Sequence, residues 1–111
     1  MKLAAVAGLI GLAGAAHAET TLQTVRYACE RGVSVPATYV NADDMQVAVI
    51  NVEGRQITLQ AEEAASGARY GWPSDGAGYV WWTKGQDATL YWRAGDAEDE
   101  TPILSECSQA Q

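Results

Sequence analysis

Apolar and polar residues alternate in short runs along most of the chain, and Gly, Asn, Asp and Pro separate the runs. A period of two is typical of β-strands, whereas the 3.6-residue period of a helix is almost absent. The clearest run covers residues 45–53, and Glu53-Gly54 indicates a hairpin turn after it. Pro36 predicts that the second strand is irregular or lies at an edge. The predicted strands are residues 24–30, 33–40, 45–53, 55–60, 68–72, 79–83, 87–92 and 103–107.

Short strands at this spacing are typical of an all-β sandwich or a small barrel. We expect a small antiparallel eight-stranded β-barrel, because closure removes the exposed sheet edges and side chains fill an interior of this size. Phe is absent, so four Trp and five Tyr supply the aromatic volume, and their polar groups need partners if buried. Trp81 and Trp82 are adjacent and must face opposite sides of their strand, one inside and one partly exposed.

The first eighteen residues have the features of an export signal. Lys2 is followed by apolar and small residues from Leu3 to Ala16, and Ala16-His17-Ala18 is an A-x-A cleavage site. We therefore expect residues 1–18 to be cleaved and residues 19–111 to form one domain in the periplasm or outside the cell. Glu19, not a lipid-bearing cysteine, follows the cleavage site, and no later apolar run reaches the roughly 20 residues of a membrane span.

Composition excludes several function classes. Cleavage would remove His17, the only histidine, so the mature chain would lack an imidazole base and a Ser-His-Asp triad. It would also remove Lys2, one of seven basic residues, and leave six against fourteen acidic residues, a net charge of −8. Such a chain repels nucleic acid.

The acidic residues at 62–63 and 98–100 are interpreted as solvated loop charges. Their spacing matches no calcium loop. Neither a metal nor a cofactor is expected.

Cys29 and Cys107 are the only cysteines, and they lie near the two ends of the expected domain. An even pair in an oxidising compartment indicates one disulfide. A redox-active pair is the alternative, although such cysteines usually lie two residues apart.

Five segments then stand in order along residues 25–108: Tyr27-Ala28-Cys29-Glu30, Ile57-Thr58-Leu59, Ser66-Gly67-Ala68-Arg69-Tyr70, Trp81-Trp82-Thr83-Lys84-Gly85 and the final Cys107. Each segment alone is common, but their order and spacing together resemble the MliC/PliC family, the membrane-bound or periplasmic inhibitors of C-type lysozyme. The membrane-bound branch carries a lipidated cysteine after its signal, so this chain resembles the periplasmic branch.

The resemblance implies an eight-stranded antiparallel barrel that is not an enzyme. It implies that a loop carrying Ser66 and Gly67 enters the active-site cleft of the lysozyme, where two carboxylates flank the scissile bond. Ser66 would hydrogen-bond one catalytic carboxylate, and Lys84 would place its ammonium near the pair. The other lysozyme-binding residues implied by the two motifs are Ala68, Arg69, Tyr70 and Gly85.

Other interpretations of the same residues remain open. Ser66-Gly67 can also be interpreted as a plain loop between strands, and Lys84-Gly85 as an ordinary hairpin turn with a solvated lysine. With those interpretations, the domain would be a structural module or a binder of a small ligand at the barrel mouth. The small-ligand binder requires an open apolar cavity. A glycosidase working through carboxylates alone would need two that face each other, one of them with a raised pKa. The sequence does not indicate an oligomeric state.

Overall fold

Eight antiparallel strands follow one another around a closed barrel, and each pairs with its neighbours in sequence. A computed structural model describes residues 19–73, 75–95 and 99–110; the predicted leader lies outside them. The strands are β1 (Thr21–Ala28), β2 (Ser34–Ala42), β3 (Met45–Val52), β4 (Arg55–Glu62), β5 (Ala68–Gly71), β6 (Gly78–Lys84), β7 (Asp87–Arg93) and β8 (Glu100–Gln109). A short 3-10 helix, Glu30–Gly32, joins β1 to β2. In this described part of the chain, no helix has the length and apolar character needed to span a membrane.

The structure confirms the all-β eight-stranded barrel, and the predicted strands differ from it mainly at their ends. β8 begins at Glu100 and not at residue 103, because Arg93 pairs with Glu100 and extends the β7–β8 hairpin into a segment predicted to be a loop. Pro36 lies inside β2 opposite Arg26 of β1. Pairing of β2 with β3 starts only at Ala37, so the missing N–H of Pro36 falls outside that ladder.

Alternation along the strands fills the barrel interior with side chains, and an aromatic group lies at its centre. Trp81 is fully buried, and its ring meets the ring of Tyr27 edge-on at 5.2 Å between centroids. The hydroxyl of Tyr39 accepts a hydrogen bond from Trp81 Nε1 at 2.9 Å and is hydrogen-bonded to the hydroxyl of Tyr27 at 2.7 Å. Burial raises the pKa of the Tyr39 hydroxyl, which therefore stays neutral. The indole and phenol groups thus satisfy one another inside the core.

The barrel closes at a short seam between β1 and β8. Only Tyr27 with Gln109 and Ala28 with Ser108 are in register there. The predicted disulfide is confirmed: Cys29 and Cys107, 78 residues apart, are bonded beside these pairs. The carboxylate of Glu30 also accepts a hydrogen bond from the backbone N–H of Ser105 at 2.8 Å. A covalent bond and a side-chain contact therefore reinforce the seam where strand pairing is shortest.

Replacing Tyr39 with Phe will leave the Trp81 N–H and the Tyr27 hydroxyl without their buried partner. We expect the free energy of unfolding, measured by urea denaturation, to fall by about 1–3 kcal/mol. Tyr79→Phe is the matched control, because the Tyr79 hydroxyl has no hydrogen bond to another described side chain and is only half-buried. Equal losses in both variants would contradict a stabilising role for the Tyr39 hydroxyl.

Candidate functional site

The two predicted binding segments meet at one end of the barrel. Residues 63–67 connect β4 to β5, and Gly85 and Gln86 connect β6 to β7. β5 and β6 are neighbours, and their pairing matches Ala68, the first residue after the loop, with Thr83, the residue before Lys84. The topology therefore brings Ser66 and Lys84, eighteen positions apart in sequence, to the same edge, where both side chains are exposed.

Gly67 determines how closely the loop lies against β6. Its φ angle is +68°, and a Cβ atom there would lie 2.1 Å from the carbonyl oxygen of Thr83 and 2.9 Å from Cγ of Lys84. Only a residue without a side chain fits this approach at a positive φ. The glycine therefore allows the loop to pack directly on the end of β6, next to the lysine.

Trp82 connects the loop and the lysine on the outer face of the barrel. Its Nε1–H donates a hydrogen bond to the backbone carbonyl of Ser66 at 2.9 Å. The Nζ atom of Lys84 lies 4.1 Å from the centroid of the same indole ring, in cation–π geometry. The prediction that Trp81 and Trp82 face opposite sides is confirmed, since Trp81 is buried and Trp82 is half-exposed. The contacts of Trp82 were not predicted from the sequence. Trp82 stands two residues before Lys84, on the same face of one strand, and this spacing was the signal available for the contact between them.

Lys84 carries a positive charge that no carboxylate of the described residues pairs with. It is the only lysine beyond residue 2. Its ammonium takes part in none of the ion pairs found among the described residues. Asp87, its partner across the β6–β7 hairpin, instead accepts a hydrogen bond from the Ser108 hydroxyl at 2.9 Å. The ammonium is therefore available to a carboxylate of another molecule.

Four charged side chains, here called the ion-pair quartet, form a cluster that reaches Trp82 through Arg69: Glu62, Arg69, Arg93 and Glu100. Arg69 pairs with Glu100 and lies 3.6 Å from Glu62. Arg93 pairs with Glu62 at 2.8 Å and with Glu100 at 3.5 Å. The guanidinium carbon of Arg69 is 4.7 Å from the centroid of the Trp82 ring. The hydrogen bond from Arg93 holds the pKa of Glu62 below its usual range. The prediction that Glu62 and Glu100 are solvated loop charges is therefore wrong, because both belong to strands and bind arginines.

The predicted binding residues differ in their exposure. Ser66, Gly67, Lys84 and Gly85 are exposed, and Ala68 is half-buried. The side chain of Arg69 is 14% exposed and is held within the quartet. Tyr70 lies inside the barrel, where its ring centroid is 5.5 Å from that of Tyr39. The surface available to a partner is consequently the tip of the loop, the lysine and the exposed part of Trp82.

This arrangement is suited to binding an anion. A carboxylate would accept hydrogen bonds from the Ser66 hydroxyl, from the backbone of this small loop and from the Lys84 ammonium. Glu62 and Glu100 bind the same two arginines, and the pKa of Glu62 is lowered, the opposite of what a general acid requires. Over the residues with described positions, His, Cys, Asp and Glu side chains form no group of three that would hold a metal.

Comparison with known proteins gives one consistent family. The model of the family described as membrane-bound lysozyme-inhibitor of c-type lysozyme matches residues 27–99. A protein of Cupriavidus necator named membrane-bound lysozyme inhibitor of C-type lysozyme is 33% identical over 96% of this chain and 89% of its own length. A protein of Pseudomonas aeruginosa with the same name is 36% identical over 88% of this chain and 75% of its own length.

Solved structures agree with the sequence relatives. Pseudomonas aeruginosa MliC, crystallised in complex with hen egg white lysozyme, superposes with a TM-score of 0.64 at 32% identity and covers 98% of this chain and all of its own. PliC-St, the periplasmic lysozyme inhibitor of C-type lysozyme from Salmonella typhimurium, also gives 0.64, at 27% identity over 80% of this chain and 98% of its own.

Replacing Gly67 with Ala will push the loop away from β6. We expect a larger loss of unfolding free energy than the roughly 1 kcal/mol that a positive φ alone costs an alanine. The indole N–H signal of Trp82, observed by NMR, will move and exchange faster with solvent as its bond to Ser66 is lost. Gly85→Ala is the matched control, because Gly85 has a φ of +61° but open space around its Cβ position. Identical effects at both glycines would contradict the close approach.

Replacing Glu62 with Gln will remove a pH-dependent part of the stability. A carboxylate whose pKa is lowered by folding stabilises the native state above its unfolded-state pKa, near 4.5, and this contribution disappears as pH falls through the folded-state value. The difference in unfolding free energy between wild type and Glu62→Gln will therefore be largest near pH 7 and vanish in strong acid. Glu63→Gln, at the exposed neighbour, will show little difference at any pH; a constant difference for Glu62→Gln would contradict this assignment.

Proposed function

Because the chain belongs to the family of membrane-bound lysozyme inhibitors of C-type lysozyme, we propose that it binds a C-type lysozyme and blocks its active-site cleft. The observation that carries this proposal is the placement of Ser66 and Lys84 at one exposed edge of the barrel, where the Lys84 ammonium is outside every ion pair of the described residues. The crystallised complex of Pseudomonas aeruginosa MliC with hen egg white lysozyme supports the choice of partner.

The mechanism follows from complementarity between this edge and the cleft. C-type lysozymes use two carboxylates that flank the glycosidic bond. In the proposed complex the narrow 63–67 loop enters the cleft, the Ser66 hydroxyl donates to one carboxylate, and the Lys84 ammonium lies beside the pair. Close charge pairs at desolvated interfaces couple by about 1.5–7 kcal/mol in measured cases, so one lysine can contribute much of the affinity. The excess of acidic residues elsewhere on the chain favours encounter with a basic enzyme.

The inhibitor itself performs no chemistry in this proposal. The carboxylates of Glu62 and Glu100 are paired with Arg69 and Arg93, and the pKa of Glu62 is lowered. A small-ligand site in the barrel lumen is disfavoured because Trp81, Tyr27 and Tyr39 occupy the centre of the interior. A binding module that does not inhibit lysozyme is the alternative that an experiment must separate.

We also propose that the protein acts in the periplasm. Residues 1–18 have the features of a cleaved export signal, and Glu19 stands where the lipid-anchored branch carries a cysteine. The disulfide between Cys29 and Cys107 needs an oxidising compartment. These features support the assignment to the periplasmic branch of the family.

The proposal is tested by assaying residues 19–111, with the disulfide formed, against hen egg white lysozyme that is digesting bacterial cell walls. We expect stoichiometric inhibition by the wild type. Lys84→Gln will weaken inhibition by about tenfold or more, because it removes the charge that meets the carboxylates. Ser66→Ala will weaken it less, because one neutral hydrogen bond to a charged group is lost.

Arg55→Gln is the matched control for Lys84→Gln. It removes the same charge from an exposed residue at the start of β4, away from the loop that follows the end of this strand. Its inhibition should stay close to wild type. A folded wild type that does not inhibit would favour the alternative binding module, while undiminished inhibition by Lys84→Gln and Ser66→Ala would refute the cleft contacts and leave inhibition standing.

A further inference from the structure

Trp82 contacts both halves of the candidate site, which are far apart in sequence. We propose that Trp82 is a positioning residue that fixes the Ser66 loop and the Lys84 ammonium in the arrangement that binds lysozyme. This inference rests on the proposed function, and it assigns to Trp82 a role that the two binding motifs do not contain.

The first contact fixes the loop. The indole N–H donates to the backbone carbonyl of Ser66, next to the tightly packed Gly67. The bond goes to the main chain and not to the hydroxyl, so it leaves the Ser66 side chain free for a partner. Together with the close approach of Gly67 to Thr83, it attaches the loop to β6 at two consecutive residues.

The second contact orients the lysine. An exposed lysine has a flexible stem and many rotamers, and ordering it on binding costs affinity. The Trp82 ring attracts the Lys84 ammonium at 4.1 Å from its centroid, without neutralising the positive charge as a carboxylate would. The lysine is therefore held near the loop while its charge remains available.

The ion-pair quartet in turn holds Trp82. Arg69 lies over the same indole ring and is anchored by Glu62 and Glu100 from two other strands. Tyr91, from β7, lies on the other neighbouring strand with its ring centroid 6.2 Å away. The indole is thus bounded by β5 and β7, so it is a fixed platform to which the loop and the lysine attach.

The test uses residues 19–111, which contain the whole barrel and a single lysine. Lysine labelled with ¹³C and ¹⁵N gives one set of side-chain NMR signals, from Lys84. The indole ring will shift these signals away from random-coil positions, and Trp82→Ala will return them there. Trp92→Phe is the control: Trp92 is also half-exposed but packs on Tyr79, so the Lys84 signals should not move. This measurement does not involve lysozyme.

Lysozyme inhibition then tests the consequence. We expect Trp82→Ala to weaken inhibition about tenfold, since it removes one hydrogen bond and one cation–π contact. Trp82→Phe keeps a ring but loses the N–H, and should weaken it by about threefold. In a double-mutant cycle that combines Trp82→Ala with Lys84→Gln, the losses of inhibition will be less than additive. Lys84→Gln removes the ammonium, and Trp82→Ala removes the ring that positions it, so both changes affect the same interaction with lysozyme. Thermal unfolding of each variant monitors the fold.

Three results would overturn the inference: unchanged Lys84 signals in Trp82→Ala, undiminished inhibition by both folded Trp82 variants, or fully additive losses with Lys84→Gln. Additive losses would mean that Trp82 acts only through stability. If the wild type fails to inhibit lysozyme, the proposed function fails instead, and the NMR measurement still decides whether Trp82 orders Lys84.

Discussion

The hydrogen bond from the indole of buried Trp81 to the Tyr39 hydroxyl is the interaction on which the site depends. Together with the complete burial of Trp81, it opposes a shift of β6 by one residue, because such a shift would exchange the two faces of the strand. With Trp81 inside, Trp82 must lie outside, where it meets the Ser66 carbonyl and the Lys84 ammonium. Core packing and the binding edge are therefore set by one pair of adjacent tryptophans.

The cationic side chains on the outer face differ in whether a carboxylate balances their charge. Arg69 and Arg93 share the carboxylates of Glu62 and Glu100, so their charges are balanced within the fold. The Lys84 ammonium takes part in none of the described ion pairs and lies over the π-face of the Trp82 indole. In a chain with an excess of acidic residues, the unbalanced positive charge at this edge is thus concentrated on a single ammonium.

The strands, the closed barrel and the opposite orientation of Trp81 and Trp82 could be predicted because each depends on local alternation. The start of β8 could not be predicted, because it depends on the pairing of Glu100 with Arg93. Without knowledge of this pairing, a run of acidic residues looks the same as a loop. For the same reason the sequence does not distinguish Glu62 and Glu100 from solvated charges. The resemblance to the MliC/PliC motifs indicated Ser66 and Lys84, whereas the indole of Trp82 binds a loop carbonyl, a contact that no sequence pattern encodes.

The placement of Lys84 also has a chemical consequence. In residues 19–111 its side chain is the only primary amine besides the chain terminus, and it is exposed. Reagents that acylate amines, including those used to attach proteins to sensor surfaces or dyes, will therefore modify the candidate site itself and convert its ammonium to a neutral amide. Labelling through an engineered cysteine or a carboxyl-terminal tag keeps this amine intact, while deliberate acylation offers a way to remove its charge without changing the sequence.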